Sequence, residues 1–203
     1  MKEFFVYQRE IPKILVPNGA LDIVYIILYY IHQLETRLED TIMRVLGLDL
    51  GGVVIDTPTR ISLPYEVALE HIRRTLKDTP PTSPLAVVEQ IARRFDHVWI
   101  VSACSDGEVK ELTRMWLDHV DFWNITGLKR DQLHFCGFEN GAKAQKVRTL
   151  NPLPTHFLDD RWEYLRAMEG VVLNRTFYDR GEGEPNPDGL PVVTSLEEYL
   201  AQL

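Results

Sequence analysis

The sequence predicts an α/β fold: a Rossmann-like three-layer α/β/α sandwich around a mostly parallel sheet, preceded by a helical N-terminal extension. Two observations carry this. From Val45 onward, short apolar runs alternate with stretches of helical periodicity, the pattern of repeated βα units whose strands are covered on both faces. Polar residues also stand directly after several of those runs, where the carboxyl ends of parallel strands present ligand-binding groups. With 203 residues, 45% of them hydrophobic and 26% charged, the chain has enough material for one sizeable core.

Residues 1–43 read as the extension and residues 44–203 as the catalytic domain, Met43 marking where a minimal version of that domain begins. After a proline-punctuated start (IPKILVPNG), Leu21 to Glu39 is helix-like. Its apolar stretch Ile23 to Ile31 is too short to span a bilayer, which takes about 20 residues. Upstream acids and the lack of a small-residue cleavage site argue against a signal peptide. An amphipathic or buried helix is expected there, a membrane anchor being the alternative.

Strands are predicted at Val45 to Leu48, Val98 to Val101, Leu133 to Cys136, Thr155 to Leu158 and Gly170 to Leu173. Helices are predicted at Tyr65 to Lys77, Pro84 to Phe95, Asp106 to His119, Ala142 to Leu150, Trp162 to Met168 and Ser195 to Leu203. Ser105-Asp106 can cap the third helix, and Ser195 with Glu198 forms a capping box for the last. DTPPTSP, residues 78–84, and YDRGEGEPNPDGLP, residues 178–191, carry too much proline and glycine for regular structure.

The formal charge of −8 gives no broad basic surface for non-specific nucleic-acid binding. A local lysine and a metal still suit a small anionic substrate. The two cysteines, Cys104 and Cys136, sit in or beside apolar runs and are expected to be reduced packing residues, which fits a cytoplasmic location.

Chemistry concentrates at the ends of predicted strands. Asp49 follows VLGL and precedes Leu50-Gly51-Gly52, so a carboxylate emerges where two glycines let the backbone turn sharply and approach a ligand. That suits an aspartate nucleophile, with Gly52 as a substrate contact. Ser102 follows HVWIV, where its hydroxyl can bond a phosphoryl oxygen. Lys143, in ENGAKAQKV, can supply fixed positive charge, Lys146 on the same helix being the alternative. Asp159-Asp160 follows HFL; two adjacent carboxylates repel each other, and Mg²⁺ relieves that repulsion.

Asp49 in LDLGGVV, Ser102 in VWIVSACS, Lys143, and Asp159-Asp160 in THFLDDR stand in the order and approximate spacing of the four motifs of the haloacid-dehalogenase-like superfamily. The sequence resembles that family over roughly residues 44 to 175. The resemblance implies that Asp49 is nucleophile and Mg²⁺ ligand and that Ser102 and Lys143 hold the phosphoryl group. It also implies a metal site completed by the Gly51 carbonyl and Asp159, with Asp160 as partner or alternate. Phosphatases of the family usually carry a second Asp two positions after the nucleophile; here that residue is Gly51. Loss of such a general acid/base costs about 10²- to 10⁴-fold, and Asp56 is a candidate substitute only if the turn folds back. DLGGV resembles a recurrent alternative form of this motif.

Asp49 to Ser102 spans 53 positions and Ser102 to Lys143 spans 41, which leaves no room for a large cap domain. A capless site has an open crevice, which suits a bulky substrate such as a macromolecular phosphate end, or assembly with something that closes the site; the partner expected is a small phosphorylated substrate or such a phosphate end. The expected activity is Mg²⁺-dependent hydrolysis of a phosphate monoester through an aspartyl phosphate. The alternatives are a catalytically weakened phosphate- or partner-binding domain, and carbon–halogen hydrolysis, against which the paired carboxylates argue.

Overall fold

The computed structural model describes residues 43–57, 70, 72–104, 107–181, 186 and 188–203. The expected N-terminal helix, most of the helix expected from Tyr65 and the Ser105-Asp106 cap fall outside the described residues. Met43–Leu203 forms one compact unit.

Six strands, β1 (Val45–Leu48), β2 (His97–Ala103), β3 (Leu133–Cys136), β4 (His156–Asp159), β5 (Asn174–Tyr178) and β6 (Val192–Val193), form one sheet in the order β3-β2-β1-β4-β5-β6. Every pairing is parallel. The described helices are α1 (Leu85–Ala92), α2 (Gly107–His119), α3 (Phe122–Thr126), α4 (Ala142–Arg148), α5 (Trp162–Ala167) and α6 (Leu196–Gln202), with 3₁₀ turns at Leu76–Asp78 and Arg130–Gln132.

Two apolar clusters make the three layers. On one face Leu46, Leu48, Val98 and Ile100 pack with Val88 and Ile91 of α1, Trp116 and Leu117 of α2, Phe122 of α3, and Leu196 and Tyr199 of α6. On the other, Val101, Phe157 and Phe177 pack with Ala144 and Val147 of α4 and Leu165 of α5. Successive strand residues alternate between faces. Between Leu46 and Leu48, Gly47 therefore turns to the second face, where the Phe157 ring fills the place of a side chain; a Cβ there would come within 2.2 Å of it.

The strand expected at Gly170 to Leu173 is displaced. Gly170 has φ +70 and the 168–171 segment turns back on Met168, which accepts from the amides of Val171 and Val172. Val172 is buried against α5 as a plug and Leu173 is exposed, so the strand begins only at Asn174. The polar Asn174-Arg175 start concealed it. β6 follows the Gly- and Pro-rich loop and is too short to show in the sequence, as are α3 and the Arg130 turn. The last helix is capped as expected on one side, Ser195 Oγ accepting from the Glu198 amide at 3.0 Å; the Glu198 carboxylate accepts from Thr194 rather than Ser195. No helix among the described residues is long and apolar enough to cross a membrane.

Candidate active site

The strand order fixes where a ligand belongs. The chain builds β1, β2 and β3 outward on one side, then returns to place β4, β5 and β6 on the other, so the direction of winding reverses between β1 and β4. Such a switch point opens a crevice beyond the carboxyl ends of the two strands. Leu48 pairs with Leu158 across it, and the Asp49 amide donates to the Leu158 carbonyl at 3.0 Å. Asp49 and Asp159 are thus the first residues of the two strands to face the crevice.

Lys143 reaches them from α4, the helix that crosses from β3 to β4. Its ammonium lies 2.8 Å from Asp49 Oδ1 and 2.7 Å from Asp159 Oδ2, and the side chain is 0% exposed. Burial alone would lower its pKa, but the Asp159 and Asp49 carboxylates outweigh burial and hold it above the ordinary lysine range. The ammonium also stands 4.7 Å from the centre of the Tyr164 ring. Lys146, one turn on, makes no such pair among the described contacts.

The adjacent aspartates have different surroundings. Asp159 is engaged on both oxygens, Oδ2 accepting from Lys143 and Oδ1 from the Arg161 amide at 3.0 Å, and each oxygen keeps a lone pair for a cation. Asp160 faces the cleft, with Arg180 3.8 Å from its Oδ2. One carboxylate oxygen from each of Asp49, Asp159 and Asp160 lies within 4.8 Å of the others, all three residues being buried. Burial, then the neighbouring Asp49 and Asp159 charges, push Asp160 up to about 8. Burial and Asp49, opposed by Lys143, push Asp159 up to about 7. Buried carboxylates raised in this way lack positive charge. Their hard oxygen donors and spacing fit a small divalent cation.

Gly52 shapes this corner. Its φ is +85, and a Cβ would lie 1.9 Å from Asp160 Oδ2, so only glycine lets the carboxylate sit against the turn. Its amide donates to the Ile55 carbonyl at 2.9 Å, which occupies the donor a substrate contact would use. Gly51 lies outside the left-handed region, and a Cβ there would meet Thr57 Oγ1 at an ordinary 3.5 Å. Asp56 does not fold back: it is half exposed and pairs with Arg180 at 2.9 Å.

A cleft of about 390 Å³ opens over these groups, with Asp49, Gly51, Ser102, Lys143 and Asp160 at its polar end. One wall comes from the 72–79 segment. Trp116 of α2 ties that segment down through an indole bond to the Thr79 carbonyl at 2.8 Å, and Arg73 pairs with Glu108. Tyr164, which no motif or strand end singles out, also lines the cleft: its hydroxyl is buried with no hydrogen-bond partner among the described residues. Cys104 and Cys136 are not joined in a disulfide, and burial pushes Cys136 up to about 11.

No protein-family model matches the sequence, and no curated protein does. Solved structures do match. The chain superimposes on D,D-heptose 1,7-bisphosphate phosphatase from B. bronchiseptica, a structure holding magnesium and phosphate, with a TM-score of 0.53 and 14% identity, over 79% of this chain and 97% of that one. The fold is haloacid dehalogenase-like. A haloacid dehalogenase-like hydrolase from Xanthomonas campestris matches with a TM-score of 0.54 and 8% identity, over 79% of this chain and 94% of that one. Within the haloacid dehalogenase-like fold, Asp49, Ser102, Lys143 and Asp159-Asp160 all come to one end of the sheet. Asp56, a candidate substitute acid only if the turn folded back, is turned away and paired with Arg180.

Proposed function

We propose that this chain is a Mg²⁺-dependent phosphatase that hydrolyses a phosphate monoester through an aspartyl phosphate on Asp49. The observation that carries the reading is the fully buried Lys143 held between Asp49 and Asp159 at the switch point of the sheet. A structural lysine has no need of two carboxylates with a third beside them, whereas phosphoryl transfer is positioning and charge stabilisation around an in-line nucleophile.

Lys143 fixes the orientation of the Asp49 carboxylate and opposes the negative charge spread over the phosphoryl oxygens. Ser102, at the end of β2, offers its hydroxyl to one of those oxygens. Asp49, Asp159 and Asp160 would hold the cation, which supplies Lewis-acid neutralisation of the phosphoryl group. An Asp49 oxygen bonds to phosphorus as the ester P–O bond breaks, and the leaving oxygen departs with the electron pair and takes a proton from solvent. Water then attacks phosphorus, Asp49 leaves as the carboxylate, and inorganic phosphate is released.

The test is hydrolysis of p-nitrophenyl phosphate with Mg²⁺, with chelator, and by Asp49→Asn. Turnover that needs both Mg²⁺ and Asp49 is expected. Wild-type turnover no higher than that of Asp49→Asn across a panel of phosphate esters would overturn the reading. The Gly51 position favours one second reading, a phosphate-binding domain, whose signature is a Tm raised by Mg²⁺ with phosphate and no turnover.

A further inference from the structure

We infer that the site is built for aryl phosphate monoesters, a phenol being the leaving group. The inference rests on the phosphatase reading and adds the chemistry of the group that leaves.

Two independent features point there. The first is the wall of the cleft away from the carboxylates: Ile55, Ile72, Leu76, Val109 and Phe138 line it. Phe138 is 54% exposed, a large aromatic ring left at the mouth with little to cover it. Four threonines, Thr57, Thr75, Thr79 and Thr113, also line the cleft, and two of them turn their hydroxyl protons back to the backbone. Thr79 Oγ1 donates to the Thr75 carbonyl at 2.9 Å and Thr113 Oγ1 to the Val109 carbonyl at 2.8 Å, so neither has a proton left for a sugar or polyol hydroxyl. An apolar cavity of about 150 Å³ accepts a benzene ring. A cleft of about 390 Å³ therefore holds one ring and a phosphoryl group.

The second feature is the proton that is not supplied. Among the described residues Gly51 carries no acid, Asp56 is bound to Arg180, Asp159 and Asp160 are committed to Lys143 and the cation in this reading, and burial raises the Tyr164 phenol, which makes it a poorer acid. An alkoxide leaving group, whose conjugate acid is near water at about 15.7, depends on a positioned acid. A phenolate, with a conjugate acid near 10 like tyrosine, departs without one. The wall thus selects an aromatic group and the missing acid tolerates its oxygen.

Phenyl, benzyl and glycerol phosphates separate the two features. Benzyl phosphate keeps the ring but leaves as an alkoxide. With Mg²⁺, kcat for phenyl phosphate is expected to exceed that for benzyl phosphate by about 10²-fold or more. Both aromatic esters should show KM values about 10- to 100-fold below that of glycerol phosphate. Gly51→Asp, which has room for its Cβ, is expected to raise kcat for benzyl and glycerol phosphates by a larger factor than for phenyl phosphate. Phe138→Ala should raise KM for the two aromatic esters alone. Binding of phenylphosphonate and methylphosphonate to the Mg²⁺-loaded protein, read by calorimetry, reports on the wall without turnover. Equal affinity for the two phosphonates, or glycerol phosphate turned over as well as phenyl phosphate, would overturn the inference. Tight phenylphosphonate binding with no hydrolysis of any ester would overturn the phosphatase reading and leave the aromatic specificity standing.

Discussion

Asp160→Asn should change how stability depends on pH in the absence of metal. Asp160 is pushed up to about 8 by burial and by Asp49 and Asp159, from 3.8 in the unfolded chain. Between those values the folded protein binds a proton that the unfolded protein has released. Stability therefore falls as pH rises, at up to about 1.4 kcal/mol per pH unit for one group. Because Asp159 and Asp49 share the field, the proton belongs to the cluster as a whole. Between pH 5 and pH 7 the wild type should lose roughly 2–3 kcal/mol that Asp160→Asn keeps. Urea unfolding in chelator at pH 5, 6 and 7, compared between the two proteins, reads this as a difference that cancels other titrating groups. Saturating Mg²⁺ should remove most of the wild-type slope and act less on the variant, which keeps only two of the three carboxylates, since a cation favours the ionised forms. Parallel stability–pH curves for the two proteins in chelator would refute the reasoning, because they would mean that Asp160 titrates as freely when folded as when unfolded.

Two further outcomes follow from the same corner. Lys143→Met leaves Asp49 and Asp159 buried without their cation and is expected to cost about 3–5 kcal/mol at pH 7. That lowers Tm by roughly 10 °C or more in a thermal melt; because the lysine is held above its ordinary 10.5, its contribution is fully present below that pH. Gly52→Ala should cost about 1–2 kcal/mol in left-handed strain. It should also weaken Mg²⁺ binding in calorimetry, because its Cβ would displace Asp160, whereas Gly51→Ala next to it should do neither.

What the sequence disclosed follows from where its information is local. β1 and β3 are found as expected because each is a short apolar run, β1 buried at all four residues and the edge strand β3 half-buried. The four chemical stations were legible because each stands directly after such a run or at a helix start. β5 was misplaced because burial divides its residues unevenly: polar Asn174 and Arg175 begin it while the more apolar segment before it is a turn. Tyr164 and Arg180 were hidden for a different reason. Each enters the site from a helix or loop whose sequence is ordinary, and only the pairing of β4 with β5 carries Arg180 to Asp160. The choices between Lys143 and Lys146, and between Asp159 and Asp160, also needed coordinates, since neighbours on one helix or loop differ only in direction.

Charge explains why metal and substrate should bind together. Asp49, Asp159 and Asp160 stand against Lys143, with Arg180 at 3.8 Å already paired to Asp56. With its carboxylates ionised, this cluster is negative before a substrate arrives. A phosphate monoester near neutral pH brings up to two more negative charges into a largely buried place, where like charges are costly. The protein alone answers that repulsion only by taking up a proton, the state the raised Asp160 describes. A divalent cation answers it without protonating the groups that must act. Phosphate affinity should therefore be weak in chelator, rise with Mg²⁺, and raise the affinity for Mg²⁺ by the same factor in return.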